Sequence, residues 1–150
     1  MSAGEGANFV ANPKPETLAT AIKIGDPVSW PKAEREIHRT QGTVEFASEQ
    51  EIADAKAVIG LCGIGCEPAS AASLAGVKKL RESGKISRNE SVVAVLTGNV
   101  LKDPDYIYRY HTDQLSAPDN SRIHPSFGNQ PIVVPNDADQ ISRLLSETDN

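Results

Sequence analysis

The run SVVAVL, from Ser91 to Leu96, is apolar at every position after its first serine. A continuous apolar run of this length, rich in β-branched residues, is typical of a central strand in a mostly parallel sheet that helices cover on both faces. Thr97-Gly98-Asn99 follows it directly. Because ligands of open α/β sheets bind where the strands end, these three residues form one candidate site. On pattern alone, a threonine that ends its strand with a local turn hydrogen bond is the simpler interpretation.

Helix and strand signals alternate on the N-terminal side of this run. Residues 43–47 are predicted to form a short strand, and Ser48-Glu49-Gln50-Glu51 has the capping-box pattern that begins a helix. A second helix is predicted over residues 67–84, after the glycine cluster GLCGIGC has ended the first. The stripe that this second helix is expected to bury contains Ala69, Ala72, Gly76, Val77 and Leu80.

The two ends of the chain continue the alternation. Ser29 is predicted to cap a helix through WPKAEREIHRT, after a shorter helix that has Pro15 in its first turn. Near the C-terminus, PIVVP (131–135) is a candidate edge strand with proline at both ends, and Asn136 is predicted to cap a final helix. The fold class expected from this order is α/β, a three-layer-like, mostly parallel sheet flanked by helices.

Composition excludes several classes of function. The 150 residues carry a net charge of -5, which disfavours nucleic acid as a partner because phosphate binding needs a concentrated basic surface. No apolar run is long enough to cross a bilayer and no leader pattern is visible, so we expect a cytoplasmic protein without membrane contact. The two cysteines and three scattered histidines predict no metal site; they are Cys62, Cys66, His38, His111 and His124.

A second candidate site is the glycine-rich loop that enters the helix over residues 67–84. It runs through Gly63-Ile64-Gly65-Cys66-Glu67-Pro68-Ala69-Ser70. A glycine loop that opens a helix can bind phosphate through free backbone amides, but this spacing matches neither of the common nucleotide-binding patterns. A tight turn between two elements remains the simpler interpretation of the pattern itself.

Three stretches together resemble successive blocks of bacterial threonine synthases, which are pyridoxal-phosphate-dependent enzymes of fold type II. They are Glu16 to Trp30, Gly63 to Gly76 and Leu96 to Pro104, and they follow one another in the family's order. The resemblance covers about residues 4–104. It implies a partial fold type II domain over 15–104, after an irregular segment 1–14 and before a C-terminal tail 105–150 with a short strand and a final helix.

The resemblance also implies a cofactor, a reaction and a set of binding residues. Family members convert O-phosphohomoserine and water to threonine and phosphate, using pyridoxal 5'-phosphate as the electron-accepting group. The threonine of the L-T-G block approaches the pyridine nitrogen in this family, which assigns that role to Thr97. The other cofactor-lining residues implied are Gly98, Asn99, Glu67, Cys66 and Ser70.

Three positions depart from the family pattern. Val100 replaces a glycine that commonly follows the L-T-G block, and a β-branched residue would be strained there if the backbone had a positive φ. Gly65 stands where an aromatic residue is common. Asp26 stands where asparagine is typical, and its negative charge would oppose a phosphorylated substrate.

The resemblance is to the C-terminal part of threonine synthases, and the cofactor-holding lysine of the family belongs to the other part. No lysine here has a matching context, so we assign no catalytic residue; the lysines are Lys14, Lys23, Lys32, Lys56, Lys78, Lys79, Lys85 and Lys102. We expect an inactive chain by itself, with a complementary N-terminal half or further copies of the chain as partner. The alternative is a non-catalytic, degenerate α/β module that binds a partner or is vestigial.

Overall fold

A computed structural model describes residues 9–147 of the chain. Five α-helices occur in this range: α1 (Trp30–Thr40), α2 (Glu49–Leu61), α3 (Pro68–Glu82), α4 (Pro104–His111) and α5 (Ala138–Glu147). Two short 3-10 turns lie at Thr20–Ile22 and Val100–Lys102. The predicted irregular segment 1–14 is described only from residue 9, and the last three residues of the predicted tail also lie outside the described range. No helix in the described part of the chain is long and apolar enough to cross a membrane.

The predicted parallel sheet is not confirmed. Between residues 9 and 147 the only β-type pairing is an isolated antiparallel bridge between Ser116 and Arg122. The segments predicted as strands, 43–47, 91–96 and 131–135, have no regular secondary structure. A strand exists only where a neighbour accepts and donates its ladder hydrogen bonds, and no segment of the described range pairs in this way with these three.

Helix α2 begins as its sequence predicts. The Ser48 side chain accepts a hydrogen bond from the backbone N–H of Glu51, and the Glu51 carboxylate accepts one from the N–H of Ser48. These reciprocal bonds satisfy two donors that the first turn of a helix leaves free. The helix ends at Leu61, where the glycine-rich loop starts.

Two predicted caps differ from the observed ones. Ser29 precedes α1, but its side chain makes no capping hydrogen bond. At α5 the capping side chain is that of Asp137, which accepts from the N–H groups of Asp139 and Gln140, so the prediction of Asn136 is wrong by one position. Aspartate and asparagine are almost equally good caps, which leaves adjacent candidates indistinguishable by residue type.

The first apolar cluster joins α2 to α3. Ile52, Ala55 and Ile59 of α2 pack against Ala71 and Ala75 of α3. The predicted stripe on α3 is therefore wrong, because Ala72 and Gly76 are only half-buried. Small side chains on both helices let the two backbones approach. Because α3 carries small residues on several sides, its sequence alone does not show which side is buried.

A second cluster lies on the opposite side of α2 and uses the C-terminal tail. Ala53 and Ala57 pack there against two buried tyrosines and two aliphatic residues: Tyr106 and Tyr110 of α4, then Leu115 and Ile123. The Tyr110 hydroxyl donates a hydrogen bond to Asp54 at 2.6 Å. The tail thus forms much of the core, although its sequence carries no recognisable motif.

Candidate cofactor site

The two candidate loops meet at the N-terminus of α3. The backbone N–H of Glu67 donates to the carbonyl of Gly98 at 3.1 Å. In the opposite direction, the backbone N–H of Gly98 donates to the Ser70 hydroxyl at 2.9 Å. These two bonds tie the L-T-G block to the first turn of α3, so residues distant in the sequence form one continuous surface.

Thr97 lies at the exposed side of this junction. Its hydroxyl oxygen is 3.3 Å from the Ser70 hydroxyl oxygen, within hydrogen-bond distance. Ser70 is buried, with 3% of its surface exposed, whereas Thr97 is exposed. A buried serine therefore orients a threonine hydroxyl that solvent or a ligand can reach.

Gly98 is in very close contact with Glu67. A Cβ atom at residue 98 would lie 1.8 Å from Oε1 of the Glu67 carboxylate, a distance that no side chain tolerates. Only glycine fits under this carboxylate, because it has no side chain. The Gly98 requirement follows from packing, since its backbone is not in the positive-φ region.

Glu67 is a buried carboxylate with an incomplete set of partners. It is 3% exposed, and its Oε2 has no hydrogen bond within the range that the structure covers. The ammonium of Lys102 lies 3.1 Å from this oxygen, which is an ion-pair distance without hydrogen-bond alignment. A buried charge needs such a counter-charge, and Lys102 supplies it from the turn that follows the L-T-G block.

The remaining predicted site residues have other local roles. Cys66 is 1% exposed and packs in the α2–α3 cluster, where burial raises the pKa of its thiol. The Asn99 side chain accepts a hydrogen bond from the N–H of Leu101 and so caps the 3-10 turn. Glu67, Ser70, Thr97 and Gly98 are brought together, with Cys66 behind them and Asn99 at the edge.

Two departures from the family pattern compensate each other. A Cβ at Gly65 would lie 2.7 Å from the Cβ of Val100, so the valine side chain occupies the space in front of this glycine. Val100 begins a 3-10 turn and is not among the positive-φ residues, which removes the strain expected for a valine at this position. Val100 thus fills with its side chain the space that a larger side chain at residue 65 would occupy.

Sequence reasoning missed two lysines of this region. Lys102, to which the sequence assigned no role, is the ion-pair partner of Glu67. Lys56, also without an assigned role, is 7% exposed. Lys56 follows Ala53 by three residues and directly precedes Ala57, and both alanines are buried. This helical spacing is the one feature of the sequence that indicates a buried position for Lys56. Among the described residues, no group of three or more histidine, cysteine, aspartate or glutamate side chains is arranged to hold a metal ion.

Comparison with known proteins identifies the family. Residues 2–98 match the family described as pyridoxal-phosphate dependent enzyme. Threonine synthase of Bacillus sp. (strain ULM1) is 52% identical over 93 residues, which cover 61% of this chain and 26% of that protein. Threonine synthase of Methanocaldococcus jannaschii is 40% identical over 134 residues, covering 89% of this chain and 29% of that protein.

A third relative gives the same result. Threonine synthase of Methanosarcina acetivorans is 51% identical over 94 residues, covering 62% of this chain and 23% of its own length. The chain therefore spans about a quarter of the length of the curated relatives that it matches. The match extends over the junction of the two loops, up to and including Thr97 and Gly98. This chain belongs to the pyridoxal-phosphate dependent enzyme family.

Proposed function

We propose that the chain forms the pyridine-ring side of a threonine synthase active site, which converts O-phosphohomoserine and water to threonine and phosphate. The observation that carries this proposal is the junction of Ser70, Thr97 and Gly98, in which a buried serine presents an exposed threonine hydroxyl. Pyridoxal phosphate is the cofactor of the family to which the chain belongs, and the threonine synthases above are its relatives.

The residues at the junction fit this cofactor. A hydroxyl can donate to a ring nitrogen or accept from it, and the Thr97 hydroxyl has only the Ser70 hydroxyl as a hydrogen-bond partner in the described range. Gly98 lies buried against the Glu67 carboxylate and keeps this turn close to α3, which leaves the Thr97 hydroxyl exposed to a flat ring. Glu67 does not compete for the ring nitrogen, because its buried carboxylate faces Gly98 and Lys102.

Each residue then has a definite task. When bound, pyridoxal phosphate supplies a conjugated ring that accepts electrons as bonds to the substrate carbons break. The neutral Thr97 hydroxyl would hold the ring nitrogen without forcing it to keep a proton, which would favour elimination and replacement over competing reactions. Ser70 fixes the direction of that hydroxyl, and the Glu67–Lys102 pair links the first turn of α3 to the turn that follows Asn99. The chain's own residues thus orient the ring, and we assign none of them a covalent role.

We further propose that a complementary polypeptide completes the site by providing the cofactor-holding lysine and the phosphate-binding loop. Support comes from the apolar segment 91–96, in which Val93 is 89% exposed and Val95 68% exposed. Exposed apolar side chains beside free backbone groups form a template for strand pairing. In this proposal segments 43–47 and 91–96 become strands of a parallel sheet when the partner is present.

The test mixes the purified chain with a polypeptide that carries the rest of a threonine synthase, together with pyridoxal phosphate and O-phosphohomoserine. We expect phosphate release from the mixture and none from either piece. Thr97→Val should lower the turnover number and shift the cofactor absorption, while Thr97→Ser, which keeps the hydroxyl, should restore most of both. Thr40→Val is the matched control, because Thr40 is an exposed threonine whose hydroxyl donates within its own helix, to the carbonyls of Glu36 and Ile37.

A folded mixture that releases no phosphate and shows no cofactor absorption would disprove the proposal. That outcome would favour the second candidate, a non-catalytic module. On sequence alone the departures at Gly65 and Val100 favour this alternative a little, but in the fold the two positions are matched to each other in space. These two departures therefore do not support a non-catalytic module.

A further inference from the structure

A small cavity lies behind the glycine-rich loop, between α2 and α4. Its volume is about 70 Å³, and its lining includes Lys56, Gly60, Cys66, Val100 and His111. Glu67, Ser70, Thr97 and Gly98 of the junction do not line it. The cavity is thus distinct from the proposed cofactor site.

Lys56 is the only amine that lines the cavity. It is 7% exposed, and its ammonium has no hydrogen bond or ion pair with any residue of the range 9–147. Burial lowers the pKa of Lys56, while Cys66 and Asp103 oppose this shift. Such surroundings make the neutral form of the amine more accessible than it is in water, because moving its charge out of water is costly.

The groups around Lys56 do not neutralise its charge. No aspartate or glutamate lines the cavity, and burial raises the pKa of the Cys66 thiol, which therefore stays protonated near neutral pH. Nδ1 of His111 accepts a hydrogen bond from the N–H of Asn129 at 2.9 Å, which leaves the ring hydrogen on Nε2. Burial and the charge of Lys56 both lower the pKa of His111, so its ring is neutral.

We propose that Lys56 is a carbonyl-reactive amine and that this cavity takes small aldehydes. The Nζ lone pair attacks the carbonyl carbon to form a C–N bond, and the C=O electron pair moves to oxygen, which takes up a proton. Loss of water then leaves an imine between Nζ and the former carbonyl carbon. Desolvated lysines in largely apolar pockets are nucleophiles of this kind. The volume admits on the order of a few water molecules, which limits the ligand to a few heavy atoms.

The experiment traps the imine in the intact chain. Acetaldehyde and cyanoborohydride at neutral pH convert the imine to a stable ethyl-lysine, and peptide mass spectrometry measures this adduct at each lysine. We expect several-fold more adduct at Lys56 than at Lys78, whose side chain is 69% exposed, and we expect urea to abolish the difference. Adduct at Lys56 equal to or below that at Lys78 in the folded chain would overturn the proposal.

A matched pair of variants tests whether the aldehyde reaches Lys56 through the cavity. A Cβ added at Gly60 or at Gly76 meets no atom within 4 Å, so both helices accept a side chain, but only Gly60 lines the cavity. Gly60→Leu should lower the adduct at Lys56 and leave Lys78 unchanged, whereas Gly76→Leu should change neither. Unaltered Lys56 labelling in Gly60→Leu would show that the cavity is not the site of reaction. The result is independent of threonine synthase activity, because no cofactor is added.

Discussion

At the scale of single residues, the junction depends on one serine and one glycine. The Ser70 hydroxyl lies within hydrogen-bond distance of both the N–H of Gly98 and the hydroxyl of Thr97, so it holds the backbone and the side chain of the same turn. Gly98 is required because the Glu67 carboxylate occupies the place of its missing side chain. Both roles are positional: they determine where the Thr97 hydroxyl lies.

Gly98→Ala is expected to destabilise the chain. The new methyl group would overlap the Glu67 carboxylate, which is held by burial and by Lys102, so either Glu67 or the Thr97 turn must move. Forcing an extra carbon into a packed site typically costs about 1–3 kcal/mol. Urea unfolding monitored by circular dichroism measures this change.

Gly76→Ala is the matched control for this prediction. A Cβ there meets no atom within 4 Å, and residue 76 lies inside α3, so alanine should stabilise the chain by about 0.5–1 kcal/mol. If both variants unfolded at the same urea concentration as the wild-type chain, the close contact between Gly98 and Glu67 would be disproved.

At the scale of elements, α2 organises the molecule. Its Ile52 and Ile59 side faces α3, and its Ala53 and Ala57 side faces the tyrosines of α4. A helix buried on two sides has no single apolar stripe, which is why periodicity alone describes it poorly. Its N-terminal capping box is consequently important, since it fixes where both faces begin.

Ser48→Ala should lower the free energy of unfolding by about 1 kcal/mol, the usual cost of losing a capping side chain. The free energy of unfolding of this variant should also fall less than that of the wild-type chain when the pH is lowered. The hydrogen bond from the Ser48 backbone is the largest cause that lowers the pKa of Glu51, and the Ser48 hydroxyl, which alanine lacks, adds a second one. Glu51 therefore stabilises the fold above its unfolded pKa of about 4.3, and the variant loses the hydroxyl's share. That contribution is lost as the pH falls through the folded pKa.

Thermal unfolding at pH 7 and pH 3 compares the stability of the wild-type chain with that of the Ser48→Ala variant. The difference between them should be larger at pH 7, because Glu51 becomes increasingly protonated in both chains as the pH falls. Ser83→Ala is the control, since the Ser83 hydroxyl donates only to the carbonyl of Leu80 at the end of α3. A pH-independent difference would show that the hydrogen bond from the Ser48 hydroxyl to the Glu51 carboxylate contributes nothing.

At the scale of the whole molecule, a compact helical core carries two segments whose large apolar side chains are mostly exposed in the described range. Val93 and Val95 are exposed in segment 91–96, and Phe46 is 76% exposed in segment 43–47. The same segments are those predicted to be strands. A chain with uncovered strand-like segments should associate with itself or with a partner.

Replacing Val93 and Val95 together by lysine should reduce this self-association. Two charges on the segment oppose pairing of strand edges, which is how natural edge strands avoid aggregation. Light scattering against protein concentration is the measurement. Val28→Lys is the control, because Val28 is 96% exposed but lies in a turn before α1. A wild-type chain that stays monomeric at high concentration would contradict the prediction.

The sequence predicted the helices more successfully than the contacts between them. Local signals were sufficient for α1, α2 and α3, because caps, prolines and glycines act within a few residues. The buried face of α3, the burial of Lys56 and the core role of Tyr106 and Tyr110 depend on which neighbour covers each side. The contact between Ser70 and Thr97 could be expected only from the resemblance to threonine synthases, since no spacing rule joins two loops so far apart.

The complementary side-chain volumes of Gly65 and Val100 have a consequence for recombination between related genes. A chimera that takes the glycine loop from a relative with an aromatic residue there, but keeps valine in the later block, would place two large groups in one volume. The reverse chimera would leave a hole. The two blocks are therefore expected to tolerate replacement only as a pair, and recombination that separates them should be selected against.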